Sequence, residues 1–469
     1  MRHHPLGFRC CAAWFFAVAL SVLSAWGAES KPNILFLFAD DMRADSIAAL
    51  GNPVVQTPHL DGLVRRGFAI RNAYCLGANM GAVCTPSRNM LLSGNAYFRW
   101  ANFAPPGAKA KGVKGGLAPG DGPNFPLAMK AAGYVTYHHG KRGNTAPLIQ
   151  AKFDVNKYLK DDEAERRSGE PGAEIADDAI AWLKTRAGAE SQPFFMYLAF
   201  GNPHDPRVAA KKYMDLYEPS KIPLPKNYRP VHPFDNGEMT VRDEKLSPWP
   251  RTESEIRRTL HEYYAAVTAL DHHIGRLLQA MEASGVLRNT VVIFSADQGV
   301  AVGSHGLLGK QNLYDAAMKS PLVFAGPKIP HGSSGALVYL LDIFPTVCEL
   351  AGAPPVRGID GVSFAPVLAG KSKVARAELF LAYRGVQRAI RDERWKLIRY
   401  PQVDVTQLFD LQNDPDELHD LASDPAHAAQ RQRLLERLQA AQKHYADAQP
   451  LTVPNPKPAA WTPPTGKAD

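Results

Sequence analysis

Four apolar runs in this chain each end in a cluster of polar residues, and no other feature constrains the fold as strongly. Ile34-Leu35-Phe36-Leu37-Phe38 leads into Asp40-Asp41, and Tyr134-Val135-Thr136-Tyr137 into His138-His139-Gly140-Lys141. Phe194-Phe195-Met196-Tyr197-Leu198 leads to Asn202-Pro203-His204, and Val291-Val292-Ile293-Phe294 to Asp297-Gln298-Gly299. A run that stays apolar, instead of alternating with polar residues, suits a strand covered on both faces. The pattern predicts an α/β fold with a large, mainly parallel sheet between helices. Open sheets of this kind gather binding residues outside the carboxyl ends of their strands. Acids, histidines and a lysine are thereby delivered to one crevice, independently of any motif.

Helical patterns fill the intervals. Asp178–Lys184 is short and amphipathic, and Glu253–Met281 is long, with Tyr264, Val267, Leu270, Ile274 and Leu277 at spacings of three and four. Residues 100–124, rich in Gly, Pro and Lys, read as a loop, and the proline-bearing stretch 205–250 reads as irregular. Gly361–Lys373 reads as a connection. Beyond it, short alternating runs at Glu378–Tyr383, Gln387–Arg391, Trp395–Tyr400 and Gln407–Leu411 predict a small antiparallel sheet. The basic stretch Arg391–Arg399 reads as a solvated strand face. A closing helix is predicted with Asp424 as its N-cap and Pro425 in its first turn, Leu434, Leu438, Ala441 and Tyr445 forming its apolar stripe. The tail from Pro450 reads as loose.

The 469 residues suffice for a large core, and 45% apolar with 21% charged residues is the balance of a globular protein rather than a disordered one. Residues 1–27 have the pattern of an export signal: a basic start from Arg2 to Arg9, an apolar core Ala12–Leu23, and small residues around Ala25-Trp26-Gly27. That core is too short for an ordinary membrane span, and no later run supplies one, so no transmembrane anchor is expected. Cys10 and Cys11 lack the small-residue context of a lipid anchor. Loss of the segment, which holds Arg2 and Arg9 and no acid, lowers the formal charge from +8 by two to +6. No concentrated basic block with interleaved aromatics is present, which argues against nucleic acid as a partner. The predicted organisation is a signal peptide over 1–27, a catalytic domain over 28–370, a C-terminal subdomain over 371–449 and a Pro-rich tail over 450–469. An exported protein, periplasmic or secreted, would retain Cys75, Cys84 and Cys348; whether Cys75 and Cys348 form a disulfide is left open by the sequence.

Cys84-Thr85-Pro86-Ser87-Arg88 carries the most chemistry. Alone, the pentapeptide also admits a structural cysteine in a turn. It matches C-x-P-x-R, the motif in which type I sulfatases have a cysteine oxidised to formylglycine, and further motifs in order along the chain resemble the same family. Lys31-Pro32-Asn33-Ile34 into Asp40-Asp41 resembles its opening strand, Thr57-Pro58-His59-Leu60-Asp61 the following helix start, and Ala131-Ala132-Gly133-Tyr134 into Gly140-Lys141 its lysine-bearing strand. Leu270-Asp271 with Ile274-Gly275 resembles its long helix. Asp297-Gln298-Gly299, Gly303-x-His305-Gly306, Lys310, Tyr314-Asp315 and Pro321-Leu322 are similar in spacing to the branch that includes iduronate sulfatase. Leu408-Phe409-Asp410-Leu411 with Asp414-Pro415-Asp416-Glu417 resembles the C-terminal subdomain.

The resemblance implies an alkaline-phosphatase-like fold and a sulfuric ester hydrolase. It implies that Asp40, Asp41, Asp297 and Gln298, together with the residue made from Cys84, hold one divalent cation. Their hard oxygen donors suit calcium, with magnesium second, and argue against zinc. Arg88, Lys141, His204 and Lys310 would surround the sulfate, fixed cations stabilising charge on its oxygens. His204, with Lys310, would protonate the departing alcohol. A maturation enzyme that oxidises Cys84 is implied as an earlier partner, and a sulfated carbohydrate as substrate. The family's histidine two residues beyond the lysine is replaced here by Gly143; strand alternation offers His139 as a substitute, and Asn144 is another. The same scaffold also suits a phosphate or phosphonate ester hydrolase, and the missing histidine admits a non-catalytic glycan-binding relative.

Overall fold

The four apolar runs lie side by side in the computed structural model, which describes Met1 and residues 31–100, 118–186 and 192–464. The remainder of the predicted signal peptide and most of the 100–124 loop lie outside the described residues. In chain order the strands are β1 (Asn33–Ala39), β2 (Phe68–Tyr74), β3 (Gly77–Ala78), β4 (Val135–Gly140), β5 (Val155–Tyr158), β6 (Phe194–Ala199) and β7 (Thr290–Ala296). β8 (Lys319–Ser320), β9 (Leu322–Ala325) and β10 (Gly332–Tyr339) follow. Nine of these form one sheet in the order β10-β2-β9-β7-β1-β6-β4-β5, with β8 on β2. The block β7-β1-β6-β4-β5 is parallel throughout. β8 and β9 run against it, so the sheet is mixed but mainly parallel.

The pleat sends alternate side chains of β1 into two separate cores. Ile34, Phe36 and Phe38 face one, with Phe195 and Tyr197; Leu35, Leu37 and Ala39 face the other, with Leu270 and Ile274 of the long helix. Both faces are thus covered, which is why these runs read as unbroken apolar sequence. The long helix spans Glu253–Ala283 and opens with a capping box, Thr252 and Glu255 each accepting the other's backbone N–H. Its Asp271 in turn caps the Pro58–Arg66 helix, accepting from His59 N at 3.2 Å and Leu60 N at 2.7 Å. A Cβ on Gly275 would stand 2.3 Å from the His59 ring, so the helices meet there only through glycine.

The second sheet comprises β11 (Leu379–Tyr383), β12 (Gln387–Arg391), β13 (Trp395–Tyr400) and β14 (Val405–Asp410), antiparallel as predicted. β3 adds a fifth strand, parallel to β11, donated from the N-terminal half of the chain. The helix Ala428–Tyr445 buries Leu434, Leu438, Ala441 and Tyr445. Asp424 caps a short 3-10 turn, Pro425–His427, that precedes this helix rather than the helix itself.

Two further sequence expectations fail. The basic stretch is not a solvated face: Arg391, Lys396 and Arg399 are buried. Lys396 Nζ pairs with Asp315 at 2.8 Å and Glu417 at 2.7 Å, and Arg391 donates to the Tyr74 hydroxyl. Nor is the tail loose as far as residue 464. Leu451 O accepts from Arg399 Nε at 2.7 Å, Lys457 N donates to Gln402 O at 2.8 Å, and Trp461 meets Trp249 edge-on at 5.3 Å. Cys75 and Cys348 are both buried free thiols.

Asp271→Ala is expected to lower stability by about 1–2 kcal/mol, since two helix amides lose their acceptor. Urea unfolding checks this; an unchanged midpoint would mean that the cap contributes nothing.

Candidate active site

Cys84 occupies the first turn of the Cys84–Ser93 helix, and Arg88 stands one turn further on the same face. Both are fully buried. The Cys84 S–H donates to Asp40 Oδ1 at 3.2 Å, while Sγ accepts from Gln298 Nε2 and from Lys310 Nζ, each at 3.1 Å. Arg88 Nε donates to Asp297 Oδ2 at 3.0 Å, and its Nη2 lies 3.5 Å from Asp40 Oδ2. Lys141 Nζ is in contact with Asp40 Oδ2, and Lys310 Nζ bonds both oxygens of Asp41 at 2.8 Å. His204 Nε2 stands 3.7 Å from Asp41 Oδ2, its Nδ1–H directed to the Asp205 carbonyl at 2.6 Å. The ends of β1, β4, β6 and β7 therefore converge on the start of one helix.

Asp297 also organises the backbone. Its Oδ1 accepts from Asp41 N at 3.0 Å, which holds Asp41 at φ 62°, a left-handed conformation uncommon for a residue with a Cβ. Ser87 Oγ donates to Asp297 O at 2.6 Å, tying the helix to β7. A Cβ on Gly299 would come within 2.2 Å of Ala316 O, so the chain leaving Gln298 requires glycine there. The loop carrying Lys310 is gripped from two sides. Glu244 accepts from Leu308 N and Gly309 N, and Gln387 of β12 donates to Gln311 O at 3.2 Å.

The electrostatics follow from burial. Desolvation alone would raise the Asp40 carboxyl, but Lys141, then Arg88 and His204, hold it well below the usual range. Asp297 is pushed up to about 7 by burial and by Asp40, against the pull of Arg88 and Lys141. Burial, then Asp297 and Asp40, drive the Cys84 thiol well above its usual value, so it stays protonated and is no nucleophile as a thiol. Burial opposes the charge on Lys310, yet Asp41 leads the partners that keep it firmly protonated. Burial and then Lys310 lower His204.

The donor set fits a divalent cation. Ligand atoms of Asp40, Asp41, Cys84 and Asp297 all lie within 4.8 Å of one another, and Gln298 Oε1 is buried without a hydrogen-bond partner. With its amide turned over, Gln298 would present that oxygen beside three carboxylates, an oxygen-rich set suited to a hard ion. Above the cluster opens a cleft of about 790 Å³ whose lining includes Gly81, Asn144, His204, Arg242 and Lys310.

His139 does not join this group. It shares a strand face with Tyr137, and its Nδ1 lies 3.2 Å from Asp178 and its Nε2 3.9 Å from Glu174, on the Ala173–Lys184 helix. Lys141 follows the end of β4, where the chain turns its ammonium towards Asp40 instead. Gly143 lies in a turn clamped by Asp162, which accepts from Arg142 N and Gly143 N at 2.8 and 2.7 Å. Ser87 and Asn202, whose carbonyl accepts from Asp40 N at 3.2 Å, escaped the sequence reading as positioning residues. Ser87 sits inside the C-x-P-x-R motif, which was the available signal.

Residues 32–353 match the Sulfatase family model, and residues 303–444 match the model described as N-sulphoglucosamine sulphohydrolase, C-terminal. The chain belongs to the sulfatase family. As a sulfatase it is a hydrolase of sulfuric esters. It is similar to an N-acetylglucosamine-6-O-sulfatase of Bacteroides thetaiotaomicron, 25% identical over 90% of this chain and 88% of the relative. A solved structure in complex with its substrate D-glucosamine-2-N,6-O-disulfate superposes with a TM-score of 0.71 at 22% identity, covering 90% of this chain and 99% of that one. The phosphonate monoester hydrolase of Agrobacterium radiobacter superposes with a TM-score of 0.71 at 22% identity, covering 88% and 96%. At these identities the structural likeness is one of fold, the alkaline-phosphatase-like architecture. These matches span several branches and do not single out the iduronate sulfatase-like spacing.

The geometry predicts a contrast between two buried basic side chains. In this sulfatase Lys310→Ala should lower kcat/KM for an aryl sulfate by about a hundredfold or more, while His139→Ala should leave it within a few fold. Steady-state kinetics check both, and the opposite order would displace Lys310 from the machinery.

Proposed function

We propose that this sulfatase is exported and hydrolyses sulfate esters of a sulfated sugar or polysaccharide, using formylglycine made from Cys84 and a divalent cation, calcium before magnesium. The observation that carries the reading is the environment of Cys84: cations and amide donors face its side chain, yet burial and two carboxylates keep the thiol protonated. A cysteine so placed is inert until oxidised. Formylglycine supplies a hydrated aldehyde, one oxygen for attack on sulfur and a second to expel the sulfate. The cation supplies positive charge for the sulfate oxygens, held by Asp40, Asp41, Asp297 and Gln298.

The chain's own residues do the rest. Arg88 fixes Asp297 and Asp40 and keeps a permanent charge beside residue 84. Lys141 and Lys310 would meet the oxygens of a sulfate above Cys84. His204, anchored through Nδ1 to the Asp205 carbonyl, lines the cleft with Lys310, and this pair would deliver the proton to the leaving alcohol, Lys310 being the member that stays protonated. Since Cys84 is fully buried, its oxidation by the maturation enzyme would precede folding. The sugar assignment rests on relatives named for glucosamine sulfates, and export on the basic and apolar pattern of residues 1–27.

A second reading, hydrolysis of phosphonate or phosphate esters, is favoured by the phosphonate monoester hydrolase fold match. Parallel assays of p-nitrophenyl sulfate and the matching phosphate and phosphonate esters decide between them. We expect preference for the sulfate, loss on chelation and recovery with calcium. A large preference for either phosphorus ester would overturn the assignment.

A further inference from the structure

The cleft above Cys84 is walled by three arginines, Arg166, Arg167 and Arg242. Two are neutralised by neighbours. Arg167 Nε pairs with Glu163 at 2.9 Å, and Arg242 forks across Asp205 at 2.7 Å and Asp243 at 2.6 Å. Arg166 differs. Among the described residues it makes no hydrogen bond or ion pair, and its Nε is withdrawn from solvent without an acceptor. The exposed N-cap Asp161 feels its charge, but no hydrogen bond joins them. A buried guanidinium N–H without a partner is costly, and such a group calls for an acceptor from a ligand, a water or an ion.

Arg166 is also held in place. It belongs to the Asp162–Arg167 helix, capped by Asp161, whose carboxylate accepts from Glu163 N at 2.9 Å and Ala164 N at 3.0 Å. Asp162 ties the helix start to the Arg142-Gly143 turn that follows Lys141, and Glu165 accepts from Gly172 N at 2.8 Å. The guanidinium therefore sits beside the sulfate cradle: a Cβ on Gly201 would touch Arg166 Nη1 at 3.8 Å and Lys141 Cβ at 3.9 Å. Gly201 thus borders both cationic side chains.

We propose that Arg166 is a specificity-determining residue that binds a second anionic group, carboxylate or sulfate, on the sugar whose sulfate ester lies over residue 84. The inference rests on the sulfatase reading and narrows it to substrates carrying at least two anions. The planar fork of arginine pairs with either oxyanion through two parallel N–H bonds, a geometry an ammonium does not reproduce.

The test compares wild type, Arg166→Ala and Arg166→Lys on p-nitrophenyl sulfate, a monosulfated neutral sugar, D-glucosamine-2-N,6-O-disulfate and a monosulfated uronate disaccharide. Affinity of the last three is also measured by calorimetry on the intact protein. For Arg166→Ala we expect KM and Kd of one doubly anionic sugar to rise about tenfold to a hundredfold more than those of the neutral sugar, with kcat little changed. Lysine should restore only part of the loss. The disulfate or the uronate as the affected probe identifies sulfate or carboxylate as the second group. An equal effect on every probe, or none on either doubly anionic sugar, would overturn the proposal. Absence of sulfate turnover in wild type would count against the proposed function, while the calorimetric ratio would still decide the role of Arg166.

Discussion

Three buried carboxylates facing three buried cations form the constraint on which this structure depends. Asp40, Asp41 and Asp297 meet Arg88, Lys141 and Lys310 at almost no exposure. Withdrawing one such ion from water costs several kcal/mol, and stranding it by removing its partner costs about 3–5 kcal/mol. The pairs close only if the strands are in register. Ala39 lies opposite Ala296, and Phe38 opposite Ala199, so the chain emerges from β1, β6 and β7 at one level. A slip of one residue would turn Asp40 away and exchange the two cores. Asp297, the carboxylate left least compensated, is also the one that organises Asp41, Arg88 and Ser87. A divalent cation among these carboxylates would remove that remaining frustration and tip the cluster from near neutrality to a positive charge suited to a sulfate.

The C-terminal sheet belongs to the same construction. Lys396 of β13 binds Asp315 and Glu417, and Glu417 Oε2 accepts from Asp315 N at 2.8 Å. Gln387 of β12 reaches the carbonyl of Gln311, next to Lys310. The segment that delivers Lys310 to Cys84 is thereby braced from outside the main sheet, and β3 locks the two sheets from the other direction. The second sheet thus acts as a positioning device for the site.

Much of this was legible in the sequence because burial on both faces leaves an unambiguous trace. The runs at β1, β4, β6 and β7 were readable as strands, and their polar ends foretold the crevice. β9 was not readable as antiparallel, since four apolar residues, Leu322–Ala325, carry no direction. The fate of charged residues was least legible. Arg391 and Lys396 resemble solvated strand residues until Tyr74 is brought to the first, and Asp315 and Glu417 to the second, from other parts of the chain. His139 alternates correctly with Lys141 along a strand, yet the strand ends at Gly140 and the two side chains part company. Arg166 lies in a helix so polar that nothing in its pattern separates it from surface.

In the proposed function, residue 84 acts as an oxidised cysteine inside this charge-balanced cradle. Mass spectrometry of the proteolytic peptide containing position 84, taken from protein of known specific activity, tests it most directly. An aldehyde at that position, in a fraction that tracks turnover from one preparation to the next, is the predicted result. Fully active protein carrying an unmodified thiol there would contradict the account.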